Sequence, residues 1–254
     1  MDILIFGGQS NMQGQTESLP ACNEPVENAR EYRFEGDTLI PLAHPMGEKL
    51  EDGLLLGASD GHGSMVPDFC QAYVKTTGRK VVAIHTARGN TTLSQWLKGT
   101  ERYNCALRKI RAGIEKAKKT GTVDRIYYIW LQGESDAIER TAKNDYIRLL
   151  TAYKNDLKAD AGIQKFCIIE VGYFCATVRW LTDRTKEDAK ACDETIMQAQ
   201  ETLAKTDSDF VLLTDICKEL SLKPQCINPF ADGHYNNAAM TIIGTEAGTA
   251  LAKL

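Results

Sequence analysis

The sequence of 254 residues lacks the features that mark several classes of protein. Its apolar runs are far shorter than the roughly 18 residues that a membrane span needs, so no membrane protein is predicted. No block of like charge occurs, and the formal net charge is −4, which argues against nucleic acid or an anionic membrane surface as a partner. The eight cysteines and four histidines form no cluster with the spacing of zinc ligands, so no metal or other cofactor is predicted.

The chain also lacks the marks of export and of division into several domains. Its first residues, from Met1 to Ile3, lead directly into an apolar run, without a basic segment or a cleavage site. A cytoplasmic protein is therefore expected, or a secreted one from which a leader has been removed. Scattered cysteines in a chain of this length are expected to be unpaired, although their even number leaves disulfides open. Because no repeat or low-complexity linker occurs, we expect a single domain over residues 1–254.

What the sequence does contain is an alternation of short apolar runs with longer amphipathic stretches. The apolar runs predict strands over residues 3–6, 81–84, 126–131, 166–171 and 210–213. The amphipathic stretches predict helices over residues 68–77, 101–119, 144–159, 187–205 and 236–253. Apolar strands separated by helices predict a three-layer α/β/α sandwich around a parallel sheet of about five strands. Residues 15–64 contain several prolines and little regular pattern, and are interpreted as loops that border a site.

Polar clusters follow three of the predicted strands and precede the last predicted helix. GGQSN follows the first strand, HTARGNTT the second and QGESD the third, while DGHYN stands before the final helix. The carboxyl ends of parallel strands meet at one edge of a sheet, so we expect these clusters to lie together. They supply a hydroxyl, amides, carboxylates and an imidazole, which are the groups that acyl transfer through a serine requires. The glycines of the first cluster match neither G-x-G-x-x-G nor G-x-x-x-x-G-K-[ST], the spacings typical of phosphate-binding loops.

Within these clusters, Ser10 is the candidate nucleophile and His234 the candidate base. Asp232 lies two residues before His234 and is a candidate to orient the imidazole through one ring nitrogen. The backbone N–H groups of Ser10 and Gly89 and the side-chain amide of Gln132 are candidate donors to an oxyanion. The other interpretation of Ser10 is that of an ordinary turn residue.

The blocks GQSNMQG, ARGNTTLSQW, WLQGESDA and DGHYN resemble those of the SGNH (GDSL-like) hydrolases. More narrowly, they are similar to carbohydrate acetylesterases of the sialate O-acetylesterase and acetylxylan esterase type, carbohydrate esterase family 6. The resemblance covers nearly the whole chain and implies a flavodoxin-like fold and metal-free removal of acetyl groups from sugars. It also implies Ser10 as nucleophile, His234 as base, and the Ser10 amide, the Gly89 amide and Gln132 as oxyanion donors.

The chain departs from this family pattern at two places. The wider group often has Asp-x-x-His, whereas this sequence has Asp232-Gly233-His234. The acid of the triad is therefore either Asp232 or Glu134 of the QGESD block, with a slight preference for Glu134; a helix-capping role is the other interpretation of Glu134. Relatives commonly have two glycines where this chain has Gly89-Asn90. Asn90 is expected either to contact the substrate or to narrow the pocket.

The resemblance implies an acetylated carbohydrate as the substrate, with xylan, sialic acid and other acetylated glycans all open. Gln9, Asn11, Arg88 and Asn90 are expected to contact it, together with the loop at residues 173–180. One alternative is a lipase or thioesterase of the wider SGNH group, which needs an apolar groove. The small and polar segment at residues 57–66 argues against such a groove. The other alternative is a non-catalytic sugar-binding module, which does not need a serine and a histidine together.

Overall fold

A computed structural model describes residues 1–21, 23–57 and 62–254. Within these residues, seven strands form one sheet in the order β3-β2-β4-β1-β5-β6-β7. Every neighbouring pair is parallel except β2 and β3, which are antiparallel at one edge. The strands are β1 (Asp2–Gly8), β2 (Ala29–Arg33), β3 (Thr38–Pro41), β4 (Val81–His85), β5 (Arg125–Leu131), β6 (Lys165–Ile169) and β7 (Phe210–Thr214).

Helices cover both faces of the sheet. They are α1 (Ser10–Gln13), α2 (Val66–Thr77), α3 (Glu101–Lys118), α4 (Glu134–Ile138), α5 (Lys143–Ala161), α6 (Lys186–Thr206), α7 (Ile216–Ser221) and α8 (Asn237–Leu251). β1 lies at the centre of the sheet, with β4, β2 and β3 on one side of it and β5, β6 and β7 on the other. The parallel connections from β4 through β5 and β6 to β7 all run in one direction across the sheet, so right-handed crossovers place α3, α5 and α6 on one face. The last helix, α8, packs against α2.

The predicted α/β/α class is confirmed, and each of the five predicted strands is present. The sheet has two strands more than predicted, because β2 and β3 lie inside the segment at residues 15–64 that was interpreted as loops. AREYR contains three charged residues and TLIP is only four residues long, so neither gives the continuous apolar run of a buried strand. Residues 58–61, which belong to the segment interpreted as small and polar, and Cys22 lie outside the described residues.

An aromatic core beside β5 holds the centre of the sheet in place. Tyr128 of β5 stacks on Phe166 of β6 with 5.1 Å between the ring centroids. The Tyr128 hydroxyl lies 2.7 Å from the hydroxyl of Tyr153 on α5, and Trp130 meets Trp96 edge-on at 5.6 Å. Aromatic pairs of this kind contribute about 0.5–1.5 kcal/mol each beyond the burial of their area. The carboxyl end of β5 is therefore rigidly positioned.

The structure also shows the length of the helices, which bears on membrane spans, and the state of the cysteines. No helix in the described part of the chain is long and apolar enough to cross a membrane. The described cysteines are free thiols, and most of them are buried. Burial raises the pKa of Cys70, Cys167 and Cys217, so these thiols stay protonated at neutral pH.

A buried ion pair fastens the β2–β3 edge to α3. Lys109 of α3 is 1 % exposed, and its Nζ lies 2.9 Å from Glu48 Oε1. Glu48 also accepts hydrogen bonds from the backbone N–H groups of Phe34 at 2.6 Å and Glu35 at 3.2 Å. Burial lowers the pKa of Lys109, while the Glu48 carboxylate opposes this shift. Each charge depends on the other, because a buried charge without a partner is strongly unfavourable.

Replacing Lys109 by alanine is expected to lower the free energy of unfolding by about 3–5 kcal/mol, because Glu48 would keep a buried carboxylate without its cation. Urea denaturation followed by circular dichroism measures this change. Lys118→Ala is the matched control, since Lys118 lies on the same helix in an exposed i,i+3 pair with Glu115. The control is expected to unfold at the wild-type urea concentration. Losses of equal size in the two variants would contradict the importance of the buried pair.

Candidate active site

Two glycines at the end of β1 bring Ser10 to the carboxyl edge of the sheet. Gly8 has φ +143°, and a Cβ added there would overlap the backbone carbonyl of Leu131 on β5. A Cβ at Gly7 would overlap the Tyr128 ring in the same way. The glycines therefore let β1 lie close against β5 and then turn sharply into α1, whose first residue is Ser10. The three polar residues that follow the glycines, Gln9, Ser10 and Asn11, therefore lie at the edge where parallel sheets bind ligands.

A pocket of about 370 Å³ opens over Ser10. It brings together the four clusters that the sequence predicted to meet, since its lining comes from the ends of β1, β4 and β5 and from the turn before α8. The lining residues are Gln9, Ser10, Gln13, Gln15, Leu56, Arg88, Gly89, Asn90, Ser135, Ile138, Phe174, Trp180 and His234. Ser10 and His234 therefore face one space, as acyl transfer through a serine requires.

The imidazole of His234 is oriented by a backbone carbonyl. Its Nδ1 lies 3.0 Å from the backbone oxygen of Asp232, which is only an acceptor. Nδ1 therefore carries the proton, and Nε2 keeps a lone pair for use as a base. The Phe174 ring packs edge-on against the imidazole with 5.9 Å between centroids. Burial lowers the pKa of His234 below its usual value of 6.5, so the ring is neutral at pH 7.

The Asp232 carboxylate, one of the two predicted acids, does not contact the imidazole. It is paired instead with Arg179, which donates from its backbone N–H at 3.2 Å, from Nε at 3.0 Å and from Nη2 at 2.8 Å. The two-residue spacing turns the Asp232 carbonyl toward the ring and its side chain away from it. The pair joins the His234 turn to the loop at residues 173–180, so Asp232 supports the ring through its backbone and this clamp.

Glu134, the other predicted acid, also does not contact the imidazole. Its Oε1 accepts from Asn11 Nδ2 at 2.8 Å, and the same Asn11 nitrogen lies 3.4 Å from the Gly233 carbonyl. The Asn11 oxygen accepts from the Tyr235 backbone N–H at 3.4 Å. Burial raises the pKa of Glu134, against the opposing effect of the Asn11 hydrogen bond. Glu134 and Asn11 therefore hold the backbone on both sides of His234.

Asn11 and Gln132 are placed differently from the roles predicted for them. Asn11 is 2 % exposed and its amide protons are used internally, so it is not available to a substrate. Gln132 is fully buried, and its Nε2 donates to the Thr91 carbonyl at 2.9 Å and to Asp136 Oδ2 at 2.6 Å. Asp136 lies in α4, four residues after Gln132, and accepts a hydrogen bond that an oxyanion would need. Gln132 therefore joins the ends of β4 and β5 and does not face the pocket.

Gln13 is a pocket residue that sequence reasoning missed. Its Oε1 accepts from the Gly89 backbone N–H at 2.8 Å, so this predicted oxyanion donor is occupied in the structure. The Ser10 N–H, in contrast, has no acceptor among the described residues. Gln13 lies three residues after Ser10, about one helical turn along α1. A prediction of α1 from the sequence would have placed both side chains on the same face of the helix. Arg179 was also missed, and no local sequence signal marks it.

The remaining predicted substrate contacts lie on the pocket wall. Gln9, Arg88 and Asn90 all line the space over Ser10, and their contact with substrate stays a prediction. The Gln9 Oε1 accepts from the Ser135 backbone N–H at 3.1 Å, which fixes its carboxamide beside the nucleophile. In the described part of the chain, no group of three or more His, Cys, Asp or Glu side chains has the arrangement of a metal site.

A mostly parallel sheet covered on both faces, with a serine after β1 and a histidine before the last helix lining one pocket, is the arrangement of an SGNH-type ester hydrolase. The chain belongs to the carbohydrate esterase family described as sialic acid-specific acetylesterases, whose sequence profile matches residues 1–217. The match ends before His234, so the family assignment is independent of that residue. Membership confirms the resemblance seen in the sequence and makes the protein a carboxylic ester hydrolase.

Individual relatives agree with this assignment. A probable carbohydrate esterase of Arabidopsis thaliana is 24% identical over 184 residues, which cover 66% of this chain and 67% of the relative. The X-ray structure of an Arabidopsis thaliana protein superposes with a TM-score of 0.68 at 14% identity, covering 98% of this chain and 96% of the other. A carbohydrate acetylesterase from Xanthomonas citri superposes with a TM-score of 0.57 at 15% identity, covering 99% of this chain and 55% of the other. At these identities the structures show the shared fold.

The lowered pKa of His234 predicts the acid limb of the pH profile. The base must be neutral to accept a proton, so kcat/KM is lost as the pH falls through the pKa of the free enzyme. Because burial places that pKa below 6.5, kcat/KM for p-nitrophenyl acetate is expected to be constant at neutral pH and to halve only below pH 6.5. Initial rates between about pH 5 and about pH 8, corrected for the Ser10→Ala background, measure the midpoint. A midpoint at or above 6.5 would contradict the buried, carbonyl-held imidazole.

The Arg179–Asp232 clamp predicts a positioning effect on the same reaction. Arg179→Met is expected to lower kcat about tenfold with little change in KM, since a misplaced imidazole slows the chemical step. Arg179→Lys is expected to lose less than Arg179→Met, because lysine keeps the positive charge although it lacks the two guanidinium donors. Arg148→Met is the matched control, since Arg148 forms an exposed pair with Asp145 on α5. A loss confined to KM, or one shared by the control, would contradict the positioning role.

Proposed function

We propose that the protein removes O-acetyl groups from sugars through an acetyl-serine intermediate, with Ser10 as the nucleophile and His234 as the base. The observation that carries this proposal is the shared pocket of the two side chains. Its second support is the Asp232 carbonyl, which holds the Nδ1 proton of His234 and leaves Nε2 free. The family description, which names sialic acid-specific acetylesterases, supports an acetylated sugar as the substrate.

In the first half of the reaction, Ser10 Oγ attacks the acetyl carbonyl carbon while His234 Nε2 accepts the hydroxyl proton. The carbonyl oxygen becomes an oxyanion, which the backbone N–H groups of Ser10 and Gly89 stabilise. The Gly89 N–H becomes available when the Gln13 side chain turns away from it. The imidazolium then protonates the sugar oxygen as the C–O bond breaks, leaving acetyl-Ser10 and a free sugar hydroxyl.

In the second half, a water molecule replaces the sugar. His234 Nε2 accepts a proton from the water as its oxygen attacks the acetyl carbon, and the same two N–H groups hold the second oxyanion. The imidazolium returns its proton to Ser10 Oγ when acetate leaves. Throughout both halves the Asp232 carbonyl accepts from Nδ1, so the imidazolium is stabilised by a fixed backbone dipole.

The pocket wall favours a small acyl group and a polar alcohol. Gly89 lies close enough to the nucleophile that a Cβ added there would be 3.3 Å from Ser10 Cβ and 3.1 Å from Gln13 Oε1. Such crowding suits an acetyl group better than a long acyl chain. Further out, Arg88 and Asn90 offer hydrogen bonds, and Trp180 is 56 % exposed at the rim. An exposed aromatic ring beside hydrogen-bonding side chains suits a sugar.

The test compares wild-type protein with Ser10→Ala on p-nitrophenyl acetate and p-nitrophenyl octanoate. Removal of the nucleophile is expected to lower kcat for the acetate ester by about three decades or more, since little of the reaction bypasses an acyl-enzyme. The wild type is expected to hydrolyse the acetate much faster than the octanoate. Ser18→Ala, which changes an exposed serine, is the control and keeps the wild-type rate.

Two outcomes would contradict the proposal, and each favours one of the alternatives considered from the sequence. Equal rates in wild type and Ser10→Ala would make Ser10 a turn residue and favour a sugar-binding module. A Ser10-dependent preference for octanoate would favour a lipase or thioesterase of the wider SGNH group.

A further inference from the structure

A second cavity adjoins the pocket over Ser10. Its volume is about 600 Å³, within the range of about 300–1,000 Å³ that ligand sites occupy. The two spaces share three lining residues, Asn90, Ser135 and Ile138. A molecule that extends from the Ser10 pocket across these residues enters the second cavity, so we call this set the border.

The second cavity is lined mainly by hydroxyl and amide groups held in fixed positions. The Thr92 and Ser94 hydroxyls lie 3.0 Å apart, and Gln95 Oε1 accepts from the Thr92 backbone N–H at 2.9 Å. Thr141 donates to Asp136 Oδ1 at 2.9 Å. A hydroxyl has one proton and two lone pairs, so each of these groups keeps capacity for a further hydrogen bond. Such a wall suits a polyhydroxylated ligand.

The charges of the second cavity separate it from the Ser10 pocket. Among the described residues its lining includes the carboxylates of Asp136 and Glu139 but no lysine or arginine, and Glu139 is exposed. The Ser10 pocket, in contrast, includes Arg88. An anionic group would be repelled by the exposed Glu139 carboxylate, whereas a neutral sugar would find that carboxylate and the hydroxyl groups as acceptors.

Asn90 stands at the border with its side chain available. It has φ +56°, a left-handed conformation that asparagine tolerates better than most residues. Its side chain is exposed and makes no hydrogen bond to the described residues. A carboxamide carries both donors and an acceptor, so Asn90 is able to contact a ligand that spans the two spaces.

We propose that the second cavity is a subsite for a neutral sugar unit next to the acetylated one, with Asn90 binding at the border. The preferred substrate is then an acetylated oligosaccharide or glycan and not a single acetylated sugar. This inference rests on the proposed function and adds the size and charge of its substrate.

The first test measures kcat/KM on pairs of substrates that differ by the neighbouring units. The pairs are O-acetylated N-acetylneuraminic acid with O-acetylated sialyllactose, and O-acetylated xylose with O-acetylated xylotriose. For the pair that is hydrolysed, the kcat/KM of wild type is expected to be about tenfold or more higher on the oligosaccharide, because a few added hydrogen bonds have an effect of this size. Asn90→Gly removes the carboxamide, and glycine adopts the left-handed conformation without strain. This variant is expected to lose most of the preference for the oligosaccharide.

Asn28→Gly is the matched control, since Asn28 has φ +59° and lies in the turn directly before β2, outside the lining of both cavities. It is expected to keep the wild-type ratio. A wild-type ratio near one would overturn the subsite while leaving the proposed function intact, provided that hydrolysis depends on Ser10. Absence of hydrolysis of all four compounds would overturn the subsite for these sugars, and its combination with Ser10-independent hydrolysis of p-nitrophenyl acetate would remove the proposed function as well.

The second test concerns charge. O-acetylated sialyllactose places neutral galactose beside the acetylated unit, whereas O-acetylated disialic acid places a carboxylate there. Wild type is expected to prefer the neutral neighbour, and Glu139→Gln, which removes one negative charge at similar size, is expected to narrow the preference. An equal or greater wild-type rate on the disialic acid compound would overturn the assignment of a neutral sugar.

Discussion

The close approach of β1 to β5 at Gly7 and Gly8 is the constraint on which the catalytic geometry depends. With no side chain at these positions, the Gln9 N–H donates to the Leu131 carbonyl at 3.1 Å on one side. On the other side, the Arg88 N–H donates to the Gly8 carbonyl at 2.9 Å. These bonds fasten three strand ends to one another through the backbone. Ser10, Gly89 and the end of β5 therefore keep their relative positions without relying on long side chains.

His234, the proposed base, is held by the backbone carbonyl of Asp232 in place of a carboxylate partner. A carboxylate at Nδ1 would raise the pKa of the imidazole, whereas the Asp232 carbonyl has no net charge and leaves burial as the largest effect. The ring therefore stays neutral over a wider pH range than it would beside a carboxylate. Its protonated form, however, receives less stabilisation during the reaction than a carboxylate would give. Two acids still serve the site indirectly, since Glu134 acts through Asn11 and Asp232 through Arg179.

The sequence predicted the fold and the meeting of the polar clusters because both follow from simple periodicity. Buried parallel strands are apolar on both faces, and their carboxyl ends share an edge. The contacts of the site depend on finer geometry: the φ of +76° at Gly233 turns the Asp232 carbonyl to His234, and spacing alone does not encode this. The placement of Gln132 depends on structure in a related way, because Asp136 accepts from its side-chain amide only once α4 has formed.

The border between the two cavities is linked by a hydrogen bond to the residue directly before Ser10, the proposed nucleophile. Ser135 lines both spaces, and its N–H donates to the side chain of Gln9, the residue directly before Ser10. A sugar held against Ser135 would therefore lie one hydrogen bond away from the Gln9 side chain, which belongs to the residue before Ser10. Binding energy from a part of the substrate that does not react accelerates catalysis only when it is realised at the reacting centre. The Ser135–Gln9 contact provides a short physical route for that effect, from the second cavity to the serine.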